Sequence, residues 1–424
     1  MKVVHINAHR GDGAALCALR ISQALKSKGI ETSMIVSNGT SDGVFTVAEC
    51  DKNIWNRHRV LRRLKNLMLR LHLCHDYEQM QRDFRQAYRH TDTPVYAHLP
   101  LSAFRNLAHH PLVKEADIVH LHWVSGFVDY PTFFSEVRKP IVWTIHDKYP
   151  AVGLLHYNST FFPIPPSLRA LDQRCRQIKR NAVQPLSNLH LVALSRQMLD
   201  ICSKSEVLQG LPISLIHNGV YTDTFVPQGK IESRRVLQLP INEDEGKAHT
   251  IFMACGFDLF NRNKGLTRII EALERVDTPN KMLLCVGKLR DLMPEVKASF
   301  PIRFFGPISD AKTLSQVYSA ADYFIQASYE ESFGQTPLEA MSCGTPVIST
   351  PCGVAPEIIR DDNGVLCRGF DVDALAHGIQ QAVDHNSRCP YSSDVIRAYI
   401  LKDFSYDIIA DQYLDLYNEM LLKE

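Results

Sequence analysis

The sequence lacks several features that would point to specialised classes of protein. No run approaches the ~18 consecutive apolar residues of a membrane span, so no transmembrane helix is expected. The 47 basic and 46 acidic residues leave a net charge of only +1, so no nucleic-acid partner is expected. No tandem repeat is visible, which argues against solenoids and propellers. An ordinary globular protein remains.

The cysteines carry no sign of a disulfide framework or a zinc site. The 11 cysteines are an odd number, and no two of them form a CxxC pair. Several lie in apolar runs, as Cys285 does in MLLCV at 282–286. They are therefore expected to be reduced core residues of a cytosolic protein. The first residues, MKVVHI, indicate a strand rather than a signal peptide because the apolar run ends at once.

The chain has the composition and rhythm of an α/β protein. Its 424 residues are 45% hydrophobic and 22% charged, which suits two or three core-forming domains. Short β-branched runs alternate with helical segments, a pattern that predicts parallel sheets covered by helices. The predicted strands are 3–7, 32–37, 118–122, 141–145, 191–194, 214–216, 251–255, 282–286, 302–305, 323–326, 346–349 and 364–366.

A change of composition divides the chain into two domains. Residues 220–250 contain Pro227, Gly229, Pro240 and the polar run NEDEG at 242–246, and this stretch is interpreted as a linker. The predicted organisation is an amino-terminal Rossmann-like domain at 1–226, a second one at 227–403, and a final helix at 404–424 that crosses back to the first. Ligands of such sheets bind outside the carboxyl ends of the strands, so a central cleft between the domains is expected.

A basic segment interrupts the first domain at about 51–90. Within it, apolar residues at helical spacing and many arginines predict a basic amphipathic helix at 57–71. One interpretation is a helix that packs on its own domain with a solvated basic face. The alternative is a surface that contacts anionic lipid headgroups, which would place the protein at the inner face of the plasma membrane.

The most informative stretch is EESFGQTPLEAM at 330–341, followed by SCGTPVI at 342–348. It is expected to leave a strand, turn at Gly334 and open a helix at Pro337, where free amides form an anion site. Glu331 and Glu339 would both face one ligand there. For Glu339 the structural alternative is a capping box with Thr336.

These residues resemble the signature of the family-4 retaining glycosyltransferases, which have the GT-B fold. The similarity continues through CGVAPEII at 352–359, NGVL at 363–366 and IHNGVYTDTFVP at 216–227. By this resemblance Glu339 would hold the ribose hydroxyls of a nucleotide and Glu331 would contact the donor sugar. Gly334, Gln335 and Thr336 would bind the donor through the loop and its amides.

A second stretch, CGFDLFNRNKGL at 255–266, corresponds to the basic donor-phosphate motif of the same family. Two cations in a loop after a strand suit a diphosphate leaving group, and a solvated loop is the alternative. Lys264 fits the family lysine. Many members have an arginine where this chain has Phe257, and Arg262 is the candidate replacement.

The first domain contributes two further candidates. Gly13, in GDGAA at 11–15, resembles the first glycine-rich loop of the family, near the donor phosphate or acceptor, although an ordinary tight turn is the alternative. His146, in TIHD at 144–147, matches the family histidine beside the transferred sugar, with Asp147 and His122 as supporting groups and a core or capping role as the alternative.

No metal is expected at the site. His120 and His122 share a strand face and would chelate a metal only with a third ligand, which the neighbouring sequence does not offer. The DVD triplet at 371–373 formally matches a metal motif, but it directly precedes a predicted helix, and capping explains it better.

The resemblance implies a retaining, metal-independent, hexosyltransferase-like enzyme. It would move a sugar from a nucleoside-diphosphate sugar to a hydroxyl of a glycan or lipid-linked glycan, in bacterial surface polysaccharide or lipopolysaccharide biosynthesis. A non-hydrolysing nucleotide-sugar epimerase of the same fold is one alternative. A non-catalytic nucleotide-sugar-binding protein is the other. The sequence does not distinguish UDP, GDP and ADP donors.

Overall fold

A computed structural model describes residues 1–11, 13–38, 43–46, 77–91, 95–241, 249–288 and 297–423. These residues form two compact units. The first unit contains Met1–Ile216 together with Ala410–Glu424, and the second contains His217–Ile409. The sequence places the first boundary slightly later, at 226/227, and the second slightly earlier, at 403/404.

The first unit is built on a seven-stranded sheet in which every described pairing is parallel. Its spatial order is β3-β2-β1-β4-β5-β6-β7. The central strands are buried along their length because helices cover both faces, which explains their continuous apolar runs. The strands are β1 (Lys2–Ile6), β2 (Glu31–Val36), β3 (Val44–Thr46), β4 (Ile118–Leu121), β5 (Ile141–Ile145), β6 (Leu189–Ala193) and β7 (Ile213–Leu215).

The helices of the first unit pack around a core that includes the fully buried rings of Trp143, Phe133 and Phe134. A smaller apolar cluster around Met80 and Leu154 lies beside it. The described helices are Gly13–Ser27, Tyr77–Tyr88, Pro111–Glu115, Tyr130–Glu136, Arg169–Val183 and Arg196–Ser203, with the end of Tyr406–Leu421 returning to this unit.

The second unit has a six-stranded parallel sheet in the order β10-β9-β8-β11-β12-β13. Its strands are β8 (Thr250–Asp258), β9 (Lys281–Lys288), β10 (Ile302–Gly306), β11 (Tyr323–Gln326), β12 (Val347–Ser349) and β13 (Gly364–Leu366). Its helices are Lys230–Val236, Leu266–Arg275, Ala311–Ala320, Gln335–Ser342, Ala355–Ile358, Val372–Arg388 and Ser393–Asp403.

The structure confirms the predicted parallel sheets, and it corrects three local expectations. The interpretation of 220–250 as a linker is wrong for Lys230–Val236, a helix held to the second unit by Arg234, whose guanidinium contacts Asp322. The strand β3 was not predicted, because its three residues are too few to show a strand pattern. The helix expected to open at Pro337 begins at Gln335 instead. The predicted basic helix at 57–71 lies outside the described residues.

Two expectations from composition concern the state of the cysteines and the presence of membrane-spanning helices. The cysteines within the described ranges are all free thiols; most are buried, as expected for core residues, whereas Cys389 is exposed. None of the described helices is both long and apolar enough to cross a bilayer.

Candidate active site

An ion pair at the carboxyl end of the second sheet brings together two residues far apart in sequence. The Lys264 ammonium donates to Oε1 of Glu331 at 2.6 Å, and the Ser328 hydroxyl donates to the same oxygen at 2.7 Å. The Lys264 side chain is 31% exposed and that of Glu331 is 16% exposed. Both residues line one pocket, together with Thr336 and Ser328. The pair is therefore fixed in position while remaining accessible to a ligand.

Asn263 explains why the two loops stay together. Its side-chain amide donates to the carbonyl of Glu330 at 2.8 Å, and its side-chain oxygen accepts from the Glu330 backbone N–H at 2.8 Å. The backbone carbonyl of Asn263 accepts from Tyr329 N–H at 3.0 Å. Because Asn263 is 1% exposed, these hydrogen bonds replace those that water would make. The loop carrying Lys264 is thereby fastened to the loop carrying Glu331.

The helix Gln335–Ser342 begins beside this pair. Gly334 forms its N-cap with a φ of 97°, a left-handed conformation that favours glycine, and makes no side-chain cap. Thr336 lies inside the first turn, so the capping-box alternative for Thr336 and Glu339 is wrong. The side chain of Gln335 donates to the carbonyl of Gly219 at 2.7 Å, which anchors the helix start. A helix N-terminus directs amide N–H groups outward, and here Thr336 lines the pocket.

Glu339 lies farther along the same helix and is 6% exposed. Its Oε2 accepts a hydrogen bond from the Tyr318 hydroxyl at 3.2 Å. Burial, together with the negative charge of Glu339, raises the pKa of the nearby Cys255 thiol to about 12, so this cysteine is a neutral thiol. A buried carboxylate of this kind is suited to accept hydrogen bonds from ligand hydroxyls.

Arg262 and Phe257 lie at the rim of this region. Arg262 is exposed, and it is not among the residues that line the pocket with Lys264 and Glu331. Phe257, at the position where an arginine was expected from the resemblance, is 76% exposed. The structure thus brings Lys264 to the pocket and leaves Arg262 outside its lining.

In the first unit, three histidines form a hydrogen-bonded chain across the carboxyl ends of β1, β4 and β5. Nε2 of His146 lies 3.1 Å from Nδ1 of His122, and Nε2 of His122 lies 2.9 Å from Nδ1 of His5. Burial lowers the pKa of His146 to about 4 and that of His5 to about 3, and it also lowers the pKa of His122 well below its usual value. All three rings are therefore neutral at physiological pH.

His120 joins this cluster, and His5 is the third imidazole that sequence reasoning did not find. His5, His120 and His122 hold ring nitrogens within 4.8 Å of one another. The nitrogens of His120 already contact Thr144 Oγ1 at 2.8 Å and the Tyr417 hydroxyl at 2.7 Å. Both nitrogens of His120 and of His122 have hydrogen-bond partners, so the cluster forms a hydrogen-bonded network in this structure.

Two more sequence candidates have defined surroundings. Gly13 is the first residue of the helix Gly13–Ser27, and a Cβ added there would meet nothing within 4 Å, so protein packing alone does not require glycine. Asp371 accepts a hydrogen bond from Ala374 N–H at 2.7 Å at the start of the helix Val372–Arg388. Asp373 pairs with Arg275. The capping explanation of the DVD triplet is confirmed.

Sequence reasoning missed Ser328 and Asn263, which hold the acidic loop. Asn263 directly precedes Lys264 in the motif at 255–266, and this adjacency was the available signal. It also missed His98 and His156, which form a hydrogen-bonded chain with Asp147. Those two residues come from segments with no recognisable motif.

Comparisons with known proteins agree with this architecture. Residues 242–397 match the family model described as "Glycosyl transferases group 1". A D-inositol 3-phosphate glycosyltransferase from Mycobacterium sp. (strain KMS) is 29% identical over 280 residues, which are 62% of this chain. The matched stretch spans 58% of that relative's own length.

Solved structures resemble nearly the whole chain at low identity. Sucrose-phosphate synthase from Thermosynechococcus elongatus has a TM-score of 0.71 and 18% identity, covering 100% of both chains. Anabaena Alr3699/HepE in complex with UDP-glucose has a TM-score of 0.63 and 17% identity, covering 99% of this chain and 100% of that one. WaaG, a glycosyltransferase involved in lipopolysaccharide biosynthesis, has a TM-score of 0.56 and 15% identity, covering 98% and 99%.

The two parallel sheets and these neighbours define a protein with the GT-B fold. Over residues 242–397, the chain is similar to the glycosyl transferases group 1 family.

Proposed function

We propose that the protein is a retaining glycosyltransferase that moves a sugar from a nucleoside-diphosphate sugar to an acceptor hydroxyl. The observation that carries this proposal is the pocket in which Lys264, Glu331 and the helix start at Thr336 converge. A cation and outward-directed amides suit a diphosphate, and the adjacent carboxylate suits the hydroxyls of the sugar attached to it. The family match over the same residues supports this reading.

Lys264 and the helix start would stabilise the leaving diphosphate. The 2.6 Å pair with Glu331 keeps the ammonium charged and oriented before the donor arrives. As the glycosidic bond breaks, negative charge builds on the diphosphate, and preorganised donors then bind it more strongly than they bind the ground state. Arg262, from the exposed rim, would add a second cation when the donor is bound. Glu339 would accept the ribose hydroxyls.

His146 would act on the transferred sugar as a neutral hydrogen-bonding group. Its pKa of about 4, caused by burial, keeps positive charge off the ring. This matters because the sugar itself gains positive charge in the transition state, and an imidazolium beside it would be repelled. Retention would follow from same-face displacement, in which the departing phosphate oxygen assists deprotonation of the acceptor. Gly13 would allow close approach of donor or acceptor at the first loop.

The donor and acceptor classes that we propose are supported by the descriptions of similar proteins and by the sequence resemblance. HepE is described in complex with UDP-glucose, so a UDP-hexose is the first donor to test. WaaG is described as acting in lipopolysaccharide biosynthesis, which supports a glycan or lipid-linked acceptor of a bacterial surface polysaccharide. We further propose a metal-independent reaction and a cytoplasmic location, with peripheral membrane contact through residues 57–71 outside the described ranges.

The test is a transfer assay with purified protein, a panel of UDP-, GDP- and ADP-hexoses, and bacterial glycolipid extracts as acceptors. We expect one donor to give a glycosylated product whose anomeric configuration, read by NMR, matches that of the donor. Activity should persist in EDTA. Conversion of the donor to its epimer without acceptor would instead identify an epimerase. Nucleotide binding without turnover on any acceptor would identify a non-catalytic protein.

A further inference from the structure

A second hydrogen-bonded chain in the first unit ends at a partly exposed histidine. Asp147 follows β5 and accepts at Oδ2 from His156 Nδ1 at 2.5 Å. Nε2 of His156 lies 2.8 Å from Nδ1 of His98. His156 is 2% exposed, whereas His98 is half-buried. The reaction proposed above uses neither His156 nor His98, and it uses Asp147 only as a neighbour of His146.

The backbone holds the two histidines in register. Ala97 and Leu155 form an antiparallel bridge. On either side of it, His98 N–H donates to Leu154 O at 3.0 Å and His156 N–H donates to Tyr96 O at 3.0 Å. The side chains of His98 and His156 are therefore fixed next to each other by main-chain hydrogen bonds, and their geometry does not depend on a ligand.

The hydrogen bonds constrain the tautomer of each ring. Burial opposes ionisation of Asp147, but the His156 ring and hydrogen bonds from His156, Trp123 and the Tyr149 N–H lower its pKa, so it is a carboxylate that only accepts. His156 donates to this carboxylate from Nδ1. With a neutral His156 ring, Nε2 of His156 accepts from Nδ1–H of His98, which leaves Nε2 of His98 as an acceptor.

Among the residues that the structure describes, none is a partner of the acceptor nitrogen of His98. Burial, followed by the neighbouring His156, lowers the pKa of His98 to about 4, so the ring does not satisfy this nitrogen by taking up a proton at neutral pH. The missing partner is a group that donates an O–H or N–H.

Aromatic side chains pack against the His98 ring. Tyr96 is 51% exposed, and its ring meets His98 edge-on at 5.3 Å between ring centroids. Trp123 meets His98 edge-on at 5.4 Å and lies nearly parallel to Tyr96 at 6.2 Å. Trp123 and Asp147 follow β4 and β5, at the sheet edge where ligands of α/β folds bind. An exposed ring beside an oriented acceptor suits a molecule with both C–H faces and hydroxyl groups.

We propose that Tyr96 and His98 form a carbohydrate subsite in which a sugar packs on the Tyr96 ring and donates one hydroxyl to Nε2 of His98. Asp147 and His156 are positioning residues that hold His98 in the accepting tautomer. The inference rests on the proposed function, since it names residues that would recognise the acceptor. Replacement of His98 leaves a sugar hydroxyl without its acceptor, and replacement of Tyr96 removes the ring on which the sugar packs. Each should weaken binding by about tenfold or more.

Binding is tested by saturation-transfer NMR with methyl glycosides of glucose, galactose, mannose and N-acetylglucosamine as probes, without nucleotide. We expect saturation of at least one glycoside by the unaltered protein and strong loss in Tyr96→Ala and His98→Ala. Phe45→Ala, which removes another exposed ring of the same unit, should have no effect. Saturation of none of the probes, or undiminished saturation in Tyr96→Ala and His98→Ala, would overturn the subsite.

The positioning role has a spectroscopic readout that a merely structural role would not move. In ¹⁵N-histidine spectra, the signal lost in His98→Ala should show the Nδ1–H tautomer in the unaltered protein. In His156→Leu it should change to the Nε2–H tautomer, and His156→Gln, whose amide can both accept and donate, should restore it. An Nε2–H tautomer of His98 in the unaltered protein would contradict the chain.

A thermal-shift titration with UDP, GDP and ADP separates this subsite from the proposed function. Glycoside binding through Tyr96 and His98 in a protein that binds no nucleotide would sustain the subsite and end the proposed function. Nucleotide binding with no effect of the Tyr96 and His98 variants on glycosides would do the reverse.

Discussion

At the residue scale, the account depends on a lysine and a glutamate that each have a partner before any ligand arrives. Lys264 and Glu331 are 2.6 Å apart, and Ser328 also donates to Glu331. A partly exposed ion pair contributes little to stability, because solvent screens it and ordering two side chains costs entropy. The position of the pair in a pocket at the carboxyl end of the second sheet is better explained by binding, because the same two charges can contact a diphosphate and sugar hydroxyls.

Lys264→Ala and Glu331→Ala should each reduce transfer by about a hundredfold or more, because each removes a charged contact to the transition state. The free energy of unfolding should change by less than ~1 kcal/mol, since the pair is partly exposed. Steady-state kinetics and urea unfolding measure the two effects. Lys204→Ala, which removes a surface lysine paired with Asp200, is the matched control. Unchanged transfer in both pocket variants would remove the site assignment.

Glu339→Gln should weaken nucleotide binding by about tenfold, because an amide accepts fewer hydrogen bonds from ribose hydroxyls than a carboxylate does. Tyr318→Phe removes the 3.2 Å hydrogen bond to Glu339 and should have a smaller effect in the same direction. Binding of the 2′-deoxynucleotide compared with the nucleotide provides the check. If Glu339→Gln discriminates the two as well as the unaltered protein does, Glu339 does not hold the ribose.

At the element scale, the position of the loop that carries Glu331 depends on glycines, because the neighbouring backbone leaves no room for a side chain there. Gly353 has a φ of +59°, and a Cβ there would meet the Phe333 carbonyl and Cβ of Glu331. Gly353→Ala should therefore destabilise the fold by about 1–3 kcal/mol and displace Glu331. Chemical denaturation and nucleotide titration together measure this.

Gly210→Ala separates backbone strain from displacement of the site. Gly210 also has a positive φ, +83°, but a Cβ there would meet nothing within 4 Å. This variant should lose stability through its left-handed conformation alone, by about 1–2 kcal/mol, and bind nucleotide normally. Equal binding by the two variants would show that the Gly353 contact does not position Glu331.

Some of these elements could be predicted from the sequence. Buried parallel strands were predictable because a short, continuous apolar run such as 141–145 is typical of a strand covered on both faces, and the structure has β5 at Ile141–Ile145. The helix start at Gln335 was not, because Gly334 caps it without a side chain and the Thr336–Glu339 spacing imitates a capping box. Contacts such as His98 with His156 were beyond reach, since they depend on how distant loops meet.

At the scale of the whole molecule, a cluster of neutral histidines couples folding to pH. Burial lowers the folded-state pKa of His5 to about 3 and of His98 and His146 to about 4, and the pKa of His120 and His122 lies well below its usual value. In the unfolded chain these groups titrate near the ordinary value of 6.5. Between that value and the folded pKa, the unfolded state binds protons that the folded state does not.

The free energy of unfolding should therefore fall as pH decreases below about 6.5, by up to ~1.4 kcal/mol per pH unit for each such histidine. Above about pH 8 these groups are neutral in both states and contribute almost no slope. Urea unfolding at pH 8, 7 and 5.5 measures the effect, and His146→Asn should reduce the slope below pH 6.5. Equal stability at pH 7 and pH 5.5 would contradict the neutral cluster.

The central claim, that the pocket of Lys264, Glu331 and Thr336 receives the diphosphate of a nucleotide, is tested most directly by calorimetric titration of the whole protein with UDP, GDP and ADP. At least one nucleotide should bind with one site per chain, and Lys264→Ala should weaken it by about tenfold or more. Binding of none of the three, or equal affinity in Lys264→Ala, would contradict the account.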